Sequence, residues 1–134
     1  MDAATRQLVL RRAGNRCEYC RVPQEATPFI PFHVEHVRAR QHAGDDSPDN
    51  LALACDRCNA YKGPNLVSVD PETGETVPLF NPRLHDWSET FLSEGGKIIG
   101  LTAIGRASVR LLNMNAPRRV QLRQAWHDAG ESLD

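Results

Sequence analysis

At 134 residues, 40% of them hydrophobic and 25% charged, the chain is long enough for one ordinary domain and too short for two, and it is no disordered polyampholyte. No run approaches the roughly 20 apolar residues of a membrane span. The opening MDAATRQLVLRR also lacks the basic, apolar and small-residue sections of a secretory leader, so a cytoplasmic protein is expected. The formal net charge of −1 hides an uneven distribution: residues 101–125 carry five arginines (Arg106, Arg110, Arg118, Arg119, Arg123) and no acid, whereas residues 70–94 carry six acids against Arg83 alone.

In chain order, residues 3–13 read as a helix capped by Asp2 and ended by Gly14-Asn15. A Cys17-x2-Cys20 pair follows, then a loop from Pro23 to Pro28. Residues 29–37 alternate weakly and suit a strand, and the run QHAGDDSPDN at 41–50 is turn-forming throughout. Residues 51–54 lead as a second strand into Cys55-x2-Cys58, and a helix over 55–62 is stopped by Gly63-Pro64. Two strands and a helix held by a metal make a small ββα unit. Beyond it, residues 65–81 contain turn signals at Asp70-Pro71, Thr73-Gly74 and Asn81-Pro82. Strands are expected at 87–92 and 97–101 around Glu94-Gly95-Gly96, and helices at 104–114 and 117–129. The expected fold class is α+β, a single domain over 1–134 with a metal-stapled core at 14–66 and an accessory extension at 67–134.

All four cysteines fall in two CxxC pairs, whose spacing lets both sulfurs of a tight knuckle face one ion and two knuckles complete a tetrahedron for zinc. Disulfides fit poorly with an unexported chain, and a redox pair would leave the second CxxC unexplained. A Cys2His2 finger through His33 and His36 fails because the histidines are two residues apart, because Pro28 and Pro31 break the required helix, and because Cys55 and Cys58 would be orphaned.

Between the knuckles lies His33-Val34-Glu35-His36, and the second knuckle is followed by Asn59, Lys62 and Gly63. Glu35 offers an anionic oxygen and Asn59 a carbonyl oxygen, donors that suit Mg²⁺ or Mn²⁺. His36 offers an imidazole, a side chain that can take a proton from water at neutral pH. Adjacent strand residues face opposite ways, so Glu35 and His36 can share a site only if the strand ends or bends there.

The run CEYC … FHVEHV … DNLALACDRCNAYKGPN resembles the zinc-knuckle branch of the HNH (ββα-metal) endonucleases: CxxC, an acid followed by His, Asn-Leu, CxxCN and KG, in that order over residues 17–65. The resemblance implies a metal-dependent DNA endonuclease that hydrolyses phosphodiester bonds. It gives His36 the role of general base and makes Glu35 and Asn59 ligands of one catalytic divalent ion. It gives Asn50 the task of bracing the histidine-bearing loop, and makes Cys17, Cys20, Cys55 and Cys58 the structural zinc site. Glu35 stands where Asp or His is also common, and a second loop glycine often found in the family is replaced in His42-Ala43-Gly44-Asp45. Phosphate contacts are expected from Lys62, Arg38, Arg40 and the arginine-rich tail, Arg106 and Arg110 included. DNA is the expected partner, with no membrane and no small-molecule cofactor. Two other classes compete: a non-catalytic zinc-ribbon nucleic-acid-binding module, and a zinc-built protein-interaction scaffold whose acidic stretch 70–94 is the contact face.

Overall fold

The computed structural model describes residues 1–133. Helix α1 (Ala3–Arg12) begins where the Asp2 carboxylate accepts from the Thr5 amide at 2.7 Å, and it ends before Gly14 and Asn15, both in the left-handed region. Strands β1 (His33–His36) and β2 (Leu51–Ala54) pair antiparallel, with His33 opposite Ala54 and His36 opposite Leu51. Helix α2 (Asp56–Lys62) follows at once, capped by Cys55 and stopped by Gly63 at φ +50°. This is the expected ββα unit. Arg12 ties α1 to it, donating to the Leu51 carbonyl at 2.7 Å.

The first strand is shorter than residues 29–37 suggested. Residues 29–32 form a loop instead, because the Gln24 side chain takes their backbone groups: Nε2 donates to the Thr27 and Ile30 carbonyls, both at 2.9 Å, and Oε1 accepts from the Phe32 amide at 2.8 Å. The turn signals of 65–81 mark the loop of a hairpin that the sequence reading missed, β3 (Val67–Val69) with β4 (Thr76–Pro78). Its strands of three residues are too short to show a period. Residues 87–90, expected to be extended, form the short helix α3 (Trp87–Thr90): Asp86 caps it through the Ser88 amide at 2.9 Å. The third hairpin, β5 (Phe91–Glu94) with β6 (Lys97–Gly100), turns at Gly95-Gly96 as expected. Helices α4 (Ala103–Leu111) and α5 (Pro117–Asp128) complete the chain. Close contact between α4 and β6 depends on missing side chains. A methyl on Gly105 would lie 2.3 Å from the Thr90 carbonyl oxygen, and one on Gly100 would lie 2.3 Å from the Arg106 amide nitrogen.

The ββα unit and the extension share one buried cluster running from Val9 through Tyr19, Leu51 and Leu53 to Phe80, Trp87, Phe91, Ile98 and Met114. Phe80 meets Tyr19 edge-on at 6.2 Å between ring centroids, and the Trp87 indole N–H donates to the Tyr19 carbonyl at 2.8 Å. The scarcity of aromatics is thus offset by placing five of them (Tyr19, Phe32, Phe80, Trp87, Phe91) inside. Among the described residues no helix is long and apolar enough to cross a membrane.

Asp70, fully buried in the β3–β4 turn, accepts from Arg106 of α4 at 3.0 and 2.8 Å. The Arg106 hydrogen bonds hold its carboxyl well below the ordinary carboxylate range. A carboxylate depressed in the folded state adds stability above its unfolded pKa, near 3.9, and loses that contribution as pH falls through the folded value. Arg106→Gln is therefore expected to lower the urea midpoint at pH 7, with the gap from wild type closing on acidification below about pH 4. A gap that is constant across this range would show that the ion pair is not its source.

Candidate metal centre and active site

The knuckle 17–20 and the start of α2 bring the four cysteine sulfurs within 4.8 Å of one another, all buried. Cys20 Sγ and Cys55 Sγ are 3.7 Å apart. Tetrahedral coordination with metal–sulfur bonds of about 2.3 Å places neighbouring sulfurs about 3.8 Å apart, so the cysteines can hold one ion with little adjustment. Each knuckle is closed by its own amide: Cys20 N donates to Cys17 Sγ at 3.5 Å, and Cys58 N to Cys55 Sγ at 3.4 Å. Burial pushes the Cys17 and Cys58 thiols up, whereas hydrogen bonds within the cluster, from Cys17 first, hold Cys20 down. Arg119 of α5 donates to Cys58 Sγ at 2.9 Å and reaches Cys55 Sγ at 3.7 Å. Burial pulls its pKa down, but the charge of Cys58, Cys20 and Cys55 outweighs this and holds the guanidinium firmly protonated. Four thiolates around a dication leave two negative charges, which Arg119 offsets in part.

Beside this centre, β1 ends at His36, and the strand end lets Glu35 and His36 face one open depression of about 430 Å³, lined also by His33, Arg40 and Asn59. Glu35 is 7% exposed. The Tyr19 hydroxyl donates to its Oε1, and Lys62 Nζ lies 3.4 Å from its Oε2. Burial raises the Glu35 pKa, and the Lys62 charge and the Tyr19 hydrogen bond pull it back. Two of the roughly four lone-pair directions of the carboxylate are thereby engaged, leaving others for a cation in the depression. Asn59, half-buried on α2, makes no side-chain hydrogen bond among the described residues.

His36 Nε2 is 2.7 Å from Asp46 Oδ1, and the Arg40 guanidinium donates to both Asp46 oxygens at 2.9 and 3.0 Å. The His36 bond first, then the Arg40 bond, keep Asp46 below the ordinary carboxylate range. Because a carboxylate only accepts, Nε2 carries the proton of the neutral ring and Nδ1 carries the lone pair. The Asn50 carboxamide stitches the loop 38–45: Oδ1 accepts from the Arg38 amide at 2.9 Å, and Nδ2 donates to the Arg38 and Asp45 carbonyls at 3.0 and 2.8 Å. Ala43 sits in the left-handed region at φ +65°, where the second glycine common in the resembled family would be at ease. Gly44 allows the close approach of its own backbone, since a methyl there would lie 1.7 Å from the Arg38 carbonyl oxygen.

The basic residues divide in a way that their positions in the chain did not announce. Arg38 and Arg40 are exposed, and Arg40 lines the depression. Lys62, expected to meet phosphate, is 2% exposed and donates to the Val37 carbonyl at 2.8 Å. Arg106 is joined to Asp70 and Glu72, Arg119 to the cysteines, and the buried Arg123 to the Gly96 carbonyl at 2.8 Å. Arg110 and Arg118 remain exposed. The residues that sequence reasoning missed are Asp46, Tyr19 and Arg119. Asp46 had a weak signal in the acidic pair of GDDS, and Tyr19 stood inside the first knuckle.

One metal ion per chain is the expected elemental analysis of the purified protein. Stripping it with a strong chelator, or removing a ligand in Cys58→Ser, should abolish cooperative thermal unfolding, because the ion's binding energy is part of the folding energy of such a centre. A metal-free chain that still melts cooperatively near the wild-type temperature would contradict this.

Residues 17–65 match the family model of HNH endonuclease. No curated protein and no solved structure matches the chain. The matched segment opens on Cys17, contains all four cysteines together with Glu35, His36, Asn50 and Asn59, and closes just past Gly63. Over residues 17–65, just over a third of its length, this chain is similar to the HNH endonucleases.

Proposed function

We propose that this protein is a metal-dependent DNA endonuclease whose general base is His36 and whose structural ion, at the four cysteines, is zinc. The observation that carries the reading is the convergence of Glu35, His36 and Asn59 on one open depression, with the proton of His36 already assigned by Asp46. Glu35 and Asn59 would supply oxygen donors for one Mg²⁺ or Mn²⁺ ion, hard cations that prefer such ligands. When bound, that ion neutralises charge on the phosphate and on the departing 3′ oxygen.

The chain's own residues do the remainder. His36 Nδ1 takes a proton from a water molecule. The water oxygen attacks phosphorus, the bond from phosphorus to the 3′ oxygen breaks, and a 5′ phosphate and a 3′ hydroxyl result once that oxygen gains a proton from solvent. Asp46 acts through His36: it fixes the ring tautomer and favours the imidazolium that forms. Arg40 keeps Asp46 ionised and brings a positive charge to the rim. Asn50 acts one step further back, by holding the loop that carries Asp46. Lys62 acts as a positioning residue for Glu35 and not as a phosphate contact.

A second reading, a zinc-stapled DNA-binding module without cleavage, draws on the enclosure of Glu35 by Tyr19 and Lys62, a pairing that a purely structural carboxylate would also make. Nicking of supercoiled plasmid separates the two. Wild-type protein should nick with Mg²⁺ or Mn²⁺, and folded His36→Ala should lose about 10²- to 10⁴-fold, the usual contribution of a general base. Asp46→Asn should lose about 10- to 10²-fold, as orienting partners of reactive groups do, with an unchanged melting temperature. Full activity in His36→Ala would refute the assignment of the base, and DNA binding without cleavage would favour the module.

A further inference from the structure

We propose that the loop 27–32, together with the groove beside it, is a base-stacking contact for DNA, with Phe29 as the side chain that inserts. The inference rests on the reading of DNA as partner. It adds a surface outside the catalytic depression and a role for the extension.

Phe29 is 96% exposed in a chain that buries most of its few aromatics, and Ile30 beside it is 45% exposed. Leaving a phenylalanine in water forgoes the gain of burying its ring. A disordered tip could explain such exposure, but this loop is held. The three Gln24 hydrogen bonds fix its backbone at Thr27, Ile30 and Phe32, with Pro28 and Pro31 stiffening it between them. The ring is thus presented on a fixed support. The next residue, Ile30, lines a groove of about 380 Å³ together with Tyr61 of α2, Leu122 of α5, Arg57 and Arg118, with Asp56 the one acidic residue on its lining. Asn113 steadies Tyr61 by donating to its hydroxyl at 3.2 Å.

Charge and position select the occupant. Arg118 is exposed with no acidic partner among the described residues. Arg57 is 66% exposed and meets only Asp56, at 3.9 Å. Apolar and aromatic faces with arginines at their edge suit stacked bases and their phosphates. The groove and the catalytic depression also flank the same short helix: Arg57 and Tyr61 of α2 line the groove, while Asn59 lines the depression. Ile30, on the groove, is followed three residues later by His33, on the depression. A strand that wraps around α2 would meet both, and an apolar wedge on the groove side would unstack and bend it on its way to the depression.

The test is binding of zinc-loaded protein to a labelled duplex containing 2-aminopurine, without Mg²⁺ or Mn²⁺ so that no cleavage occurs. Phe29→Ala, whose melting temperature should equal that of wild type because the ring touches little, is expected to weaken binding by roughly 5- to 150-fold, the effect of losing one base–aromatic stack. It should also abolish the aminopurine fluorescence rise seen with wild type, and Phe29→Trp should restore both. Arg57→Gln with Arg118→Gln should weaken binding and flatten its salt dependence. Unchanged affinity and fluorescence in Phe29→Ala would overturn the proposal and leave the loop for a protein contact. If wild type still nicks plasmid in that case, the endonuclease reading stands alone; if wild type neither binds nor nicks DNA, both fall.

Discussion

The strands that carry the candidate active site have four residues each, and a two-stranded hairpin of that size is not stable in water on its own. Four sulfurs impose its shape. Cys17 and Cys20 lie before β1, whereas Cys55 and Cys58 lie at the passage from β2 into α2, so one ion held among them would close the chain around the hairpin. Glu35, in β1, and Asn59, one residue past Cys58, both line the depression. The knuckles need no chemistry of their own to matter for it. They set the distance between its two sides.

Behind the depression the polar groups are enclosed rather than exposed. Tyr19, from inside the first knuckle, and Lys62, at the end of α2, both reach Glu35 and are themselves almost fully buried. Isolating either charge there would be costly, because a buried ion without its partner destabilises by several kcal/mol. The hydrogen bonds from Lys62 to the Val37 carbonyl and from Trp87 to the Tyr19 carbonyl anchor the same groups from the far side. The carboxylate is therefore held in place, which would reduce the ordering that binding a cation demands. A related arrangement serves the histidine: Asn50 holds the loop, the loop holds Asp46, and Asp46 holds the ring. The extension contributes to the metal centre through Arg119 and to the core through Phe80 and Trp87, so it is joined to the ββα unit by charge as well as by packing.

Much of this was legible in the sequence where the chemistry fixes local spacing. Two CxxC pairs mark a metal centre because two intervening residues set the bite of a knuckle, and the structure gathers the four sulfurs accordingly. Gly63-Pro64 ends α2, Gly95-Gly96 turns the third hairpin, and Glu35, His36 and Asn59 all line one depression. Contacts between residues far apart in the chain were not legible. The run of five arginines between residues 101 and 125 left open which would meet phosphate and which an acid of 70–94; in the fold Arg106 serves Asp70, Arg119 the cysteines and Arg123 a backbone carbonyl. Charge patterning along a chain does not say which ions the fold will pair. Lys62 was misplaced for the same reason, since the motif gives its position but not its inward direction. At 29–32 and 87–90, local side-chain bonds from Gln24 and Asp86 overrode the strand-like composition.

The central claim is that Glu35 and Asn59 jointly form a divalent-cation site within the frame that the cysteines set. Its most direct measurement is a Mn²⁺ titration of the zinc-loaded protein without DNA, followed by electron paramagnetic resonance. Wild type should take up one Mn²⁺. Asn59→Ala, which breaks no hydrogen bond among the described residues, and Glu35→Gln should each weaken that site by about 10-fold or more while zinc content stays at one per chain. Mn²⁺ binding that is the same in wild type and both variants would place the cation elsewhere and contradict the account.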